Sequence, residues 1–393
     1  MTHKKDRIFL GSVLSLALLA AAATNVSAEP GVLNDRIVFG QSAALDGPAK
    51  ALGQGMREGI LAAFAEANHA GGIGGRLLDL ISYDDGYEPM RAIDQTAKLI
   101  SDDQVFALIG GVGTPTSRAA QPIATDAGVP YIGPFTGAGF LRSSNLTNVV
   151  NVRGSYDQET EAWIKHLTED LKFERIAILY QKDSFGKAGL SGVKKAMKKR
   201  GMSLVAKGTY KRNTTEVDAA FQKIRRSNPQ AIVTVGAYKP IAAFIKQARD
   251  AGLDSVFINI SFVGSKALAK ELGAKGDGVV ITQVVPFPWD TSLPMVARYQ
   301  RAMKATNPKS EFGFVSLEGY MVGRLTIMAL QRIQGEPTRA KLLKAFSSTG
   351  PFDLGGVTLT FGPRDNQGMD RVFMTVIKPD GTFKAVNTLD ELG

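Results

Sequence analysis

The chain has no cysteine and only three histidines among its 393 residues. The missing thiols exclude a disulfide scaffold, Cys-ligated zinc, iron–sulfur clusters, thiol catalysis and lipidation at a cysteine. Three histidines leave little for a His-rich metal site. Catalytic motifs are also missing. There is no G-x-S-x-G elbow, no H-E-x-x-H, no G-x-x-x-x-G-K-[ST], and no G-x-G-x-x-G with its downstream acid. Two S-x-x-K matches, Ser184–Lys187 and Ser191–Lys194, stand without companion motifs. No catalytic residue, metal ligand or cofactor is therefore assigned. What is present is 44% hydrophobic and 21% charged, enough for a real core and too apolar for disorder. The length suits two or three domains.

Long apolar runs are absent except near the start. Lys4, Lys5 and Arg7 precede an apolar run from Ile8 to Ala23, and Val26-Ser27-Ala28 supplies small residues for a signal peptidase. Residues 1–28 are expected to be a cleaved export signal ending before Glu29, since the run is short for a membrane span. Losing those residues lowers the net charge from +10 to +8. The densest basic run, Lys194-Lys195 with Lys198-Lys199-Arg200, reads as a solvated helix face, and no aromatic-interleaved basic motif for nucleic acid accompanies it.

Short apolar runs then alternate with amphipathic stretches. Strands are expected at Arg36–Gly40, Leu77–Ser82, Val105–Ile109 and Tyr131-Ile132, with helices at Ala51–Ala70, Pro89–Ile100 and Thr116–Ala127 between them. After a linking helix near Ser155–Leu171 the alternation restarts at Arg175–Tyr180 and runs to Gly278–Gln283. This predicts an α/β fold of two doubly wound parallel-sheet lobes. Three irregular segments, Asn145–Gly154, the proline-rich Val284–Pro294 and Ser347–Gly356, predict a three-crossover hinge. The first lobe is expected at 34–150 plus 286–348, the second at 151–285 plus 349–393.

Ligands collect at the carboxyl ends of strands in open parallel sheets. Two turns there are rich in glycine and hydroxyls: Gly110-Gly111-Val112-Gly113-Thr114-Pro115-Thr116-Ser117, and Gly133-Pro134-Phe135-Thr136-Gly137. Either could present backbone N–H groups and hydroxyls to an anion, or be an ordinary helix cap. Asp84-Asp85 after a strand could pair as carboxylates or cap the next helix. His69, near a helix end, and His166 have no partner constellation for catalysis.

Taken in order, Leu45-Asp46-Gly47-Pro48, Asn68-His69-Ala70-Gly71-Gly72-Ile73-Gly74-Gly75, Tyr83-Asp84-Asp85, Leu108–Ser117, Gly128-Val129-Pro130, Tyr180–Gly189, Gly236–Gly252 and Phe312–Leu330 resemble the type I periplasmic solute-binding proteins of ABC transporters, branched-chain amino-acid group. The resemblance covers almost the whole chain after residue 28. It implies two lobes that close on a small ligand and hand it to a membrane permease. By motif position it implies that Thr114 and Thr116 face a ligand carboxylate. Phe135, Thr136 and Gly137 would form the next contact turn, Leu52 would lie over the ligand, and Phe185 and Tyr238 would supply aromatic contacts.

One departure stands out. Where amino-acid binders of this group place an acid for the ligand's ammonium, this chain has Ser261-Phe262-Val263-Gly264, and Ser261 and Phe262 are expected to line the cleft there, Phe262 enclosing an apolar body with Phe135, Phe185 and Tyr238. An unpaired buried ammonium is costly. Either another acid such as Asp85 or Glu318 serves, or the ligand is an aromatic or aliphatic carboxylate without an α-amino group. A sensor subunit built on the same fold is the other alternative. The expected protein is periplasmic, not lipid-anchored, not an enzyme, and binds no nucleic acid.

Overall fold

A computed structural model describes residues 1–2 and 29–392; the export-signal reading falls on residues outside this range. Two sheets organise the chain. The first has five parallel strands in the order Leu77–Asp84, Arg36–Ala43, Ala107–Ile109, Tyr131–Ile132, Val149–Val150. Arg36–Ala43 is buried from its second residue onward, as a strand covered on both faces must be. Helices Pro89–Ser101 and Thr114–Asp126 pack against each other on this lobe, while Lys50–His69 packs on Pro294–Thr306 and Phe314–Gln331. In Lys50–His69 the residues Leu52, Met56, Ile60, Ala63 and Ala67 recur at three- and four-residue spacing and are buried.

The second sheet has seven strands. Its parallel part runs Val280–Gln283, Val256–Asn259, Ala231–Val235, Ile176–Gln181, Ala206–Tyr210, and the antiparallel pair Phe373–Ile377 and Phe383–Val386 extends it beyond Val280–Gln283. The reversed strand order on each side of Arg36–Ala43 and of Ile176–Gln181 places strand ends and helix N-termini at the junction of the lobes.

The chain crosses between the sheets three times. The first crossing follows Val150, and the second follows Gln283, where Pro286 and Pro288 interrupt regular structure before Pro294 starts a helix. The third was expected at Ser347–Gly356, with everything after 349 in the second lobe. Instead, Phe352–Asp353 and Thr358–Leu359 form a small ribbon held by Phe346 and by the Met295 amide, so the crossing lies near Asn366–Val372. There it runs beside the first crossing: Asn151 N donates to Asn366 O at 2.7 Å, and Gly368 N to Asn151 O at 2.8 Å.

Other expectations shift in detail. The Asn145–Gly154 segment contains the two-residue strand Val149–Val150. The helix expected from Thr116 starts at Thr114, and the linking helix, observed at Tyr156–Glu169, belongs to the second lobe, packed on Ser184–Lys198. The basic run is ion-paired to that helix rather than only solvated: Lys195 meets Asp157 at 2.7 Å, and Lys199 and Arg200 meet Glu161 at 3.0 and 2.9 Å.

Candidate functional site

Both glycine-rich turns end at the lobe junction. Gly113, at φ 105°, leads into helix Thr114–Asp126, and a Cβ there would lie 2.2 Å from the Tyr87 ring, so only glycine fits. No side chain caps this helix, which leaves its positive end facing the junction. Thr114 Oγ1 shares a 2.7 Å hydrogen bond with Thr136 Oγ1. Thr136 Oγ1 also donates to the Tyr156 hydroxyl at 3.2 Å and accepts from Ala138 N. Gly137 makes room for this group, since a Cβ there would stand 2.5 Å from the Tyr156 ring. Three hydroxyls from two lobes thus form one buried cluster.

Aromatic rings close around it. Phe262 lies 5.7 Å from Tyr87, 5.3 Å from Phe135 and 4.6 Å from Phe185, and Phe185 lies 5.5 Å from Tyr156. Tyr87 and Phe135 come from the first lobe; Phe185, Tyr156 and Phe262 come from the second. All five are buried. A solute entering between the lobes has to displace these rings from one another.

A charged cluster lies alongside. Arg153, in the first crossing, is fully buried with its guanidinium 4.9 Å from the Phe135 ring centre. Its Nη2 donates to Ser261 Oγ and, at 3.4 Å, to Glu159 Oε1, while Nη1 stands 3.6 Å from Glu318 Oε1. Glu159 also accepts from Ser261 N at 2.8 Å, Ser261 Oγ at 2.9 Å and Thr282 Oγ1 at 2.5 Å. Burial would depress the Arg153 guanidinium, but Glu318 and Glu159 outweigh it and hold its pKa above the usual value. Burial pushes Glu318 up to about 7 despite Arg153. Arg142, depressed to about 9 by burial and by Arg153, donates to the carbonyls of Ala138 and Arg153, tying the first lobe to the crossing.

A second set of contacts bridges the outer cleft. Arg212 of the second lobe donates to Glu88 of the first at 2.6 Å and to Asp183 of its own lobe at 2.9 Å. Asn213 donates to Glu88 Oε1 at 2.7 Å and Gly86 O at 3.0 Å. Gln181 Nε2 donates to the Tyr87 hydroxyl at 3.3 Å.

Of the residues expected in the site, Thr114, Phe135, Thr136, Gly137, Phe185 and Phe262 meet at this junction. Leu52 and Tyr238 lie at its edge. A Cβ on Gly264 would come 2.6 Å from Leu52, and the Tyr238 hydroxyl accepts from Ala51 N at 3.4 Å, across the lobes. Ser261 belongs to the charged cluster. Thr116 does not join the hydroxyls, because its Oγ1 donates to Val112 O and Gly113 O within its own turn. Asp85 does not reach the charged cluster either. It accepts from Ser42 Oγ and Tyr87 N, each at 2.8 Å, and burial pushes it up to about 6. Asp84 is a loop anchor, accepting from the amides of Leu45, Asp46 and Gly86.

Tyr87, Arg153, Tyr156, Glu159 and Arg212 were not anticipated. For Arg153 a signal existed: a lone arginine between the apolar Val149-Val150 and the capping box of Ser155 and Gln158.

The comparisons with known proteins agree with this architecture. A family model described as periplasmic binding protein matches residues 36–382. The chain belongs to the periplasmic binding protein family. Its similarities lie in the branched-chain amino-acid group. The leucine-, isoleucine-, valine-, threonine- and alanine-binding protein of Pseudomonas aeruginosa is 26% identical over 273 residues, 70% of this chain and 73% of that one. Among solved structures, a possible leucine/isoleucine/valine-binding protein from Rhodopirellula baltica SH 1 is 38% identical with TM-score 0.87, over 91% of this chain and 98% of that one. An extracellular ligand-binding receptor from Verminephrobacter eiseniae ef01-2 is 30% identical with TM-score 0.80, over 89% and 99%. These relatives of the periplasmic binding protein are solute binders by name. Among its described residues no helix is long and apolar enough to cross a membrane.

Proposed function

We propose that this periplasmic binding protein is the substrate-binding component of an ABC importer. It captures a small carboxylate with an apolar body, an amino acid of the branched-chain kind or a close relative, and delivers it to a membrane permease. The observation that carries this reading is the buried Thr114–Thr136–Tyr156 hydroxyl cluster at an uncapped helix N-terminus, walled by aromatic rings from both lobes. Hydroxyl donors and a helix dipole favour a carboxylate, and the rings favour an apolar body. Contacts from both lobes mean that ligand favours the closed form, which is how binding becomes closure. The export signal expected at residues 1–28 and the family's relatives support a periplasmic site of action.

Isothermal titration with leucine, isoleucine, valine, phenylalanine and benzoate tests the ligand class. At least one carboxylate is expected to bind with a micromolar or lower Kd. If none binds while sugars or organic cations do, the reading fails. Delivery is tested by ATPase stimulation of the permease complex reconstituted with the loaded protein.

A further inference from the structure

Arg153 has no solvent exposure, yet its Nε and Nη1 donate no hydrogen bond. Only Nη2 is engaged, by Ser261 and Glu159. Burying donors without acceptors sacrifices their hydration for nothing, so orphaned buried donors mark a place where an acceptor arrives. Glu318 is not that acceptor as it stands: its nearest oxygen is 3.6 Å from Nη1, outside hydrogen-bond range. Glu159 is fully committed to Ser261, Thr282 and Nη2.

The guanidinium also lies beside the hydroxyl cluster. It stands 4.9 Å from the Phe135 ring centre and 5.9 Å from that of Tyr156, whose hydroxyl bonds Thr136. A carboxylate has two oxygens and about four lone-pair positions, more than the hydroxyls alone fill. The unengaged Nη1 of Arg153, a rigidly held charged donor, suits the remainder. A ligand ammonium placed on Glu318 would instead sit close to the Arg153 charge and be repelled by it.

We propose that Arg153 is a ligand-contacting residue whose Nη1 donates to the carboxylate of the captured solute, replacing Glu318 as its loosely held counter-ion. This rests on the carboxylate reading of the cleft. The hydroxyls of Thr114, Thr136 and Tyr156 take one carboxylate oxygen and Arg153 the other. Glu318 thereby acts as a competitor for Arg153, not as the ligand's partner.

The test is isothermal titration of the full chain with leucine and benzoate, each beside its amide, in wild type, Arg153→Lys and Glu318→Gln. Wild type is expected to bind a free acid at least a hundredfold more tightly than its amide. Arg153→Lys keeps the charge but cannot hold Ser261 and Glu159 and still present a second fixed donor, and is expected to weaken the acid tenfold or more with an unchanged circular dichroism spectrum. A smaller loss in the folded variant overturns the proposal. Because a change at Arg153 can leave Glu159 and Glu318 uncompensated and prevent folding, Glu318→Gln decides independently. Unchanged or tighter acid binding supports the proposal, and a loss of threefold or more overturns it, making Glu318 a direct ligand partner. Failure of every acid to bind wild type removes the carboxylate reading itself, an outcome separate from any variant effect.

Discussion

Arg212→Ala tests whether the outer bridge holds the lobes together. Arg212 makes two charge-assisted hydrogen bonds, but only the 2.6 Å bond to Glu88 crosses the cleft; the 2.9 Å bond to Asp183 stays within the second lobe. The Arg212 side chain is 21% exposed and Glu88 42%, so solvent screens the pair and its full charge-assisted strength is not available. A partly screened charge-assisted bond is worth about 1–2 kcal/mol to the closed form. At 1.4 kcal/mol per tenfold, the closure equilibrium shifts by roughly 5- to 30-fold. Asn213 keeps its own bonds to Glu88 and Gly86, so the variant still closes. Stopped-flow measurement of ligand release should show a faster dissociation rate by that factor, with little change in association. Small-angle scattering of the ligand-free protein should show a larger radius of gyration. Raising ionic strength to about 0.5 M shortens the screening length well below 10 Å and should shrink the gap between wild type and variant. A release rate within twofold of wild type, with identical scattering, would refute the bridge as a closure device.

Four further outcomes are expected. Thr136→Val removes the hub of the hydroxyl cluster and strands the buried Tyr156 hydroxyl, costing about 1–3 kcal/mol in denaturant unfolding. Gly137→Ala forces a Cβ to within 2.5 Å of the Tyr156 ring and should destabilise by about 1–3 kcal/mol, read as a lower urea midpoint. Phe262→Ala empties the ring that touches Tyr87, Phe135 and Phe185, and the cavity should cost roughly 3–5 kcal/mol in thermal unfolding. Asp85, pushed by burial from 3.8 to about 6, is protonated in the fold where the unfolded chain is already ionised. Its contribution to stability is therefore whole below about pH 4 and lost as pH rises to 6, on the order of 3 kcal/mol. The difference between wild type and Asp85→Asn should slope that way, and a flat difference would contradict it.

The lobes were legible because parallel strands buried on both faces are continuous apolar runs, as in Arg175–Tyr180 and Ala231–Val235, and the helices between them keep a 3.6-residue stripe. Strand ends were less legible. Arg36–Ala43 outlasts its apolar core because Gln41 and Ser42 are buried and bonded to Gly110 O and Asp85. The glycine-hydroxyl turns pointed to the first-lobe residues that meet at the lobe junction, Thr114, Phe135 and Thr136. The charged cluster was hidden because charge pairing is not periodic. Arg153 meets Glu159 six positions on and Glu318 far along the chain, a distance only the fold closes. Thr116 shows the converse error: a hydroxyl beside a site can be turned back on its own helix.

The placement of Arg153 ties recognition to movement. It sits in the first crossing, its partners Glu159 and Ser261 are in the second lobe, and Glu318 is on a first-lobe helix. A hinge motion that parts the lobes would separate Glu318 from a guanidinium that Glu159 and Ser261 hold on the second-lobe side. On the proposal made above, a carboxylate reaching Arg153 has no strong ion pair to break, because Glu318 stands 3.6 Å from Nη1. On closure the rings from both lobes exclude water, and electrostatic attraction strengthens as the local dielectric falls. Selection for charge and selection for closure then act through one side chain, so a change at Arg153 should alter affinity and the open–closed balance together.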